Sequence, residues 1–138
     1  RIASFVLPTG ASINKTGTTM FEVMAIMFLA QAYGIALDIP TVILIGVLSI
    51  IASIAAAGVP SAGLITMSLI ITSLGADFTL ETFSAGVAAL WAIDRVLDMG
   101  RTVCNVISSV SVAAIVAASE GELKRDLLKN PAIWQDTV

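Results

Sequence analysis

No charged residue occurs between Asp38 and Asp77. A gap of that length is foreign to soluble domains, in which about a quarter of all residues are charged. On length alone it holds two bilayer crossings of about 20 residues each. Its centre, however, reads Ala57-Gly58-Val59-Pro60-Ser61-Ala62-Gly63, and proline beside glycine breaks a helix rather than continuing it. The break leaves apolar arms at 41–57 and 63–74, and the second, at about 12 residues, is too short to cross. The reading is therefore a re-entrant helical hairpin, 40–74, with a Gly/Pro tip at membrane depth. Such a tip exposes backbone N–H and C=O groups that lipid cannot satisfy, so it must be buried in protein or line a cavity. It is either a gate over a site or an ordinary kinked hairpin, and the residues leave both open.

Composition places the whole chain with the gap. Hydrophobic residues make up 57% and charged residues 12%, so lipid is its main solvent. The net charge of -3 is small and sits mostly near the ends, which gives nucleic-acid binding no support. There is no His, and Cys104 is the single cysteine; an intrachain disulfide and a Cys/His zinc site are both excluded. No nucleophile–base set is visible, so an enzyme is not expected, and no cofactor is implied. The chain opens on Arg1 and reads as part of a longer polypeptide.

Before the gap, a second apolar stretch runs from 18 to 37, interrupted by Glu22. It follows a polar run, 8–18, that itself follows apolar 2–7. This reads as a membrane helix, 1–37, broken in its middle, where freed carbonyls and half-helix ends can hold ions or substrate; an extramembrane loop is the plainer alternative. After the gap a long helix is expected over 83–118. Residues 120–138 turn charged, and Lys124, Arg125 and Lys129 favour a cytoplasmic tail. No internal repeat is visible.

The long helix carries the chemistry. At about 100° per residue, Asp94, Asp98, Arg101, Asn105 and Ser108 fall within roughly 80° of arc, with Thr102 and Ser109 on one flank. Val96, Val103, Ile107 and Val110 hold the opposite face. Ionisable groups at membrane depth cost several kcal/mol each, so they face a bundle interior or a watery cavity. They could lock the bundle by pairing Asp98 with Arg101. They could also meet a ligand: a guanidinium fork matches a carboxylate, Asp98 matches an ammonium, and Asn105 can donate to a second carboxylate. That set describes an acidic amino acid.

Three motifs in order, 10–18, 57–63 and 94–105, resemble the glutamate/aspartate transporter family, the dicarboxylate/amino acid:cation symporters. The resemblance implies an all-α, multi-pass protein of the cell membrane, built on inverted repeats, working as a homotrimer with a mobile transport domain. Residues 1–119 would be the C-terminal half of that domain. By position, Asp98 would bind the substrate amino group and Arg101 its side-chain carboxylate, with Thr18 in support. Asn105 and Thr102 would take the α-carboxyl and amino ends, and Gly58 and Val59 would close over the ligand. Arg101 argues for aspartate or glutamate, since members for neutral amino acids lack it. A C4-dicarboxylate carrier, or a channel or sensor that kept the fold, are the alternatives.

The sequence departs from the family where sodium is held. The usual Asn-Met-Asp-Gly-Thr is here Asn14-Lys15-Thr16-Gly17-Thr18, and Ser109 stands where a second sodium-binding Asp is usual. Both sodium carboxylates are missing, which puts sodium in doubt as a bound ion. A further family site uses backbone carbonyls around Ser12, Ser53, Ile54 and Ala56 and does not depend on these side chains. The expectation is that Lys15, facing Ser109 from the break, supplies a positive charge where sodium otherwise sits; the alternative is a lysine that snorkels away. Transport would then be sodium-independent. Glu22 falls where eukaryotic relatives carry a proton-binding glutamate, which makes it the proton candidate; it could equally be a buried Glu held by hydrogen bonds.

Overall fold

A computed structural model describes residues 2–56, 58–75 and 78–123. The charged residues Lys124, Arg125 and Lys129 of the expected tail, and Ala57 of the expected tip, lie outside the described residues. All regular structure among the described residues is helical: α1 (Ile2–Ile13), α2 (Thr16–Ala32), α3 (Ile39–Ala55), α4 (Ala62–Ser73) and α5 (Leu80–Ser119).

Local chemistry explains most of the boundaries. Asp38 caps α3 by accepting from the Thr41 N–H at 3.1 Å, with Pro40 in the first turn, where a missing N–H costs nothing. Thr41, through its hydroxyl and its backbone N–H, holds the Asp38 carboxyl below the usual carboxylate range. Thr79 caps α5 by accepting from the Thr82 N–H at 3.1 Å, and Glu81 places a negative charge in the first turn, where the helix dipole favours it. Between α3 and α4 the chain passes through Pro60 and Ser61, and Ser61 is left-handed at φ 62°. That conformation costs a residue with a Cβ about 1–2 kcal/mol.

The break between α1 and α2 is narrower than the sequence implies. The polar run 8–18 reads as interrupted throughout, yet α1 continues through Pro8 and Gly10, and only Asn14 and Lys15 leave the helix. Hydroxyls in this run fold back onto their own helix: Thr9 donates to the Phe5 carbonyl at 2.8 Å and Ser12 to the Pro8 carbonyl at 3.4 Å. Backbone satisfaction outweighs the low helix propensity of this run.

Packing centres on α4, which touches α2, α3 and α5. Leu64, Met67, Ile70 and Ile71 of α4 are buried against Ile26 and Leu29 of α2 and Ile45 of α3. Phe83 closes one end, edge-on to Tyr33 with ring centroids 5.2 Å apart. Outside this core the surface is oily: Ile39, Ile43 and Ile51 of α3 and Val96, Ile107 and Ile115 of α5 are all more than 60% exposed. Apolar faces on this scale fit lipid or further protein, not water. The stretch Glu81–Ser119, in which an 18-residue window reaches a mean hydropathy of 1.8, is long and apolar enough to cross a membrane; α3 and α4, at 17 and 12 residues, are shorter than the usual span.

Candidate functional site

The stripe on α5 meets the broken helix on one side and α4 on the other. Arg101 is its centre. One nitrogen, Nη2, donates to Asp94 at 2.9 Å and to Asp98 at 2.8 Å. The three groups are unequally placed: Arg101 and Asp94 are 5% and 1% exposed, while Asp98 is 26% exposed. Asp94 is thus the buried anchor of the guanidinium, and Asp98 is the carboxylate a ligand can reach. The stripe pairs internally here, as a lock would, but the lock is incomplete. Nη1 of Arg101 and Oδ2 of Asp94 are buried with no partner among the described residues, and a buried unpaired polar group is costly. The missing side chain of Gly63 leaves room beside Nη1, since a Cβ there would lie 3.6 Å away.

Two residues that sequence reasoning missed complete this centre. The Phe21 ring lies 4.1 Å from the guanidinium carbon, a cation–π contact that strengthens when desolvated. Glu22, fully buried, accepts from the Thr66 hydroxyl across the α2–α4 contact. The signals were thin: Phe21 is one aromatic among many apolar residues, and Thr66 is one hydroxyl in an apolar helix.

Five of the expected ligand residues share one cavity. This cavity, of about 320 Å³, is lined by Thr18, Gly58, Val59, Gly63, Asp98 and Thr102, among others. It has the α3–α4 tip on one wall and the stripe on the other. Arg101 and Asn105 do not line it, and Asn105 instead lines a second cavity with Asn14, Thr102 and Ser109. Its Oδ1 accepts from the Gly17 N–H at 2.8 Å, and its Nδ2 donates to Thr18 at 3.4 Å. The helices pass close here: a Cβ on Gly17 would sit 2.6 Å from the Arg101 carbonyl oxygen, so only glycine fits. Thr102 turns its hydroxyl back to the Asp98 carbonyl at 3.0 Å.

The expected ion residues meet at Asn14. Asn14 donates to Ser109 at 3.0 Å and accepts from Thr16 at 2.7 Å. Lys15 is in neither bond. It lines a cavity of about 290 Å³ together with Asn14, Thr16, Thr19, Ser53 and Ile54. Ser109 does not line that cavity, so the expectation that Lys15 faces Ser109 is corrected. Asn14 lies between the two, lining the cavity with Lys15 and bonding Ser109. Both ion pairs among the described residues belong to Arg101.

Comparison with known proteins gives one consistent answer. The model of the sodium:dicarboxylate symporter family matches residues 1–119. The chain is 42% identical over 117 residues to excitatory amino acid transporter 5 of Homo sapiens, covering 85% of this chain and 20% of that protein. It is 42% identical over 116 residues to excitatory amino acid transporter 2 of Rattus norvegicus, covering 84% and 19%. To the excitatory amino acid transporter of Caenorhabditis elegans it is 41% identical over 116 residues, covering 84% and 22%. The chain thus spans about a fifth of the length of the curated relatives it matches.

Proposed function

This chain belongs to the sodium:dicarboxylate symporter family, a family of membrane transporters and not of enzymes, and from that membership we propose that it binds and carries acidic amino acids. One observation carries the reading: the Arg101 guanidinium, held by Asp94 and Asp98, keeps a buried unpaired nitrogen next to the cavity that Asp98 and Thr102 line. An acidic amino acid can replace the internal pair, since it brings a carboxylate for Arg101 and an ammonium for Asp98, and its second carboxylate adds one net negative charge. Thr18 supports the side-chain carboxylate, Asn105 and Thr102 serve the α-carboxyl and amino ends, and Gly58 and Val59 close the tip. A C4-dicarboxylate offers nothing to Asp98, so it is the weaker substrate.

In this reading α3 and α4 form a re-entrant hairpin that acts as gate. Residues 1–119 are the C-terminal half of a transport domain that moves as an elevator within a homotrimer built on inverted repeats. Residues 120–138 follow as a cytoplasmic tail. Transport is sodium-independent, with Lys15 standing in for an ion. What supports that role is its place in one cavity with Asn14 and Thr16, where a sodium carboxylate is missing, and with Ser53 and Ile54. Glu22, buried between α2 and α4, is the proton carrier. A titration of the full-length protein with aspartate, glutamate and succinate, with sodium present or replaced by choline, tests the reading. Tight binding of succinate alone would overturn the substrate, and binding only in sodium would overturn the coupling. Accumulation of labelled aspartate in liposomes separates a transporter from a channel or sensor, which would bind without concentrating it.

A further inference from the structure

Where the broken helix meets α5, two carboxamides do the fastening. Asn105 reaches from α5 to the Gly17 N–H at 2.8 Å. That N–H is one of the orphan donors at the start of α2, and Lys15, at the N-cap, provides no side-chain acceptor for it. Asn14 reaches back from the break to Ser109 at 3.0 Å, while the Thr16 hydroxyl donates to the other end of the same amide at 2.7 Å. Gly10 lets α1 approach this point, since a Cβ there would sit 3.0 Å from the Ser109 hydroxyl oxygen. All the groups in the Thr16–Asn14–Ser109 chain are neutral, and each hydrogen bond runs donor to acceptor.

We propose that this neutral relay positions the helix break against α5 for substrate binding, and that it does so with no cation. The inference rests on the acidic-amino-acid reading above and assigns its ion independence to Thr16, Asn14 and Ser109 as positioning residues, separately from Lys15. The physical reason is polarity. A carboxylate in place of the Thr16 hydroxyl would set an acceptor against the Asn14 carbonyl oxygen, and two such acceptors close together repel unless a cation lies between them. A hydroxyl turns the same contact into a bond. Lys15 takes no part in these bonds, although it shares a cavity with Asn14 and Thr16.

The test uses the full-length protein in nanodiscs, with aspartate titrated in choline chloride and in sodium chloride. The wild type is expected to bind equally in both. Thr16→Val and Ser109→Ala each weaken binding about tenfold, the scale of one lost hydrogen bond to the half-buried Asn14, and sodium does not restore it. The double variant Thr16→Asp/Ser109→Asp binds weakly in choline and recovers at least about tenfold in sodium. A wild type that needs sodium, or Thr16→Val and Ser109→Ala variants that bind in choline like the wild type, would overturn the proposal. Should the wild type bind no acidic amino acid in either salt, the substrate reading fails instead. Melting temperature then reads the relay: the wild type is indifferent to sodium and the double aspartate variant is stabilised by it, and the reverse pattern sinks the inference.

Discussion

Around Arg101 the stripe of α5 is held by charge; roughly two turns further on, at Ser109, it is held by neutral hydrogen bonds. The first region sets one buried and one half-buried carboxylate around one guanidinium and leaves a nitrogen unpaired. The second pairs hydroxyl, amide and hydroxyl. The contrast separates two tasks on one helix. A charged cluster with spare hydrogen-bonding capacity is poised to exchange partners, because an incoming zwitterion replaces what it displaces. A neutral chain exchanges nothing cheaply, and so serves as a fixed fastening.

The contrast can be broken most severely at its charged end. Arg101→Ala leaves the buried Asp94 without a cation, a change that costs about 3–5 kcal/mol, and aspartate binding should fall by more than about 100-fold. Calorimetric titration reads this directly; retention of wild-type affinity would mean the stripe is only a lock. Next in size is Gly17→Ala. Its Cβ would meet the Arg101 carbonyl oxygen at 2.6 Å, and overpacking of this kind costs about 1–3 kcal/mol, so a lower melting temperature and weaker binding should appear together.

Smaller effects sharpen the comparison rather than break it. Glu22→Gln keeps a hydrogen-bonding partner for Thr66 but cannot carry a proton. Uptake in liposomes should lose its pH dependence, and an unchanged pH profile would remove Glu22 from the mechanism. At the tip, Ser61→Gly relieves a left-handed serine and should stabilise the closed α3–α4 turn by about 1 kcal/mol, visible as slower proteolysis there. The smallest change is expected at Asp38. Its carboxyl is held low by Thr41, so its cap contribution is present above the unfolded-state value and is lost as pH falls through the lower folded-state value. Thermal melts at descending pH should show that loss in the wild type and not in Asp38→Asn, whose side chain also caps well.

Much of the architecture is legible in the residues because lipid imposes a simple rule. Charge and Gly/Pro punctuation mark where helices stop, and the uncharged run resolves into α3 and α4 about a Pro60–Ser61 turn, as its composition implies. The break in the first helix was less legible. Polar residues in 8–18 suggest a long interruption, but a hydroxyl can satisfy a carbonyl of its own helix as readily as it can leave it, and composition does not say which. The same ambiguity hid Phe21 and Thr66. Each is an ordinary residue in its own helix and gains meaning only from what lies across the interface.

The sequence by itself determined that this is an all-helical membrane transporter chain and which side chains share one face of α5, since helical periodicity fixes faces without reference to other elements. Only the tertiary structure decided what those side chains pair with. Arg101 settles on Asp94 as well as Asp98, Asn105 caps α2 from a different helix, and Lys15 shares a cavity with Ser53 and not with Ser109. Partner choice depends on distances between helices, and those are set by where Gly10 and Gly17 let α1 and α2 approach α5, a close packing that no single helix encodes.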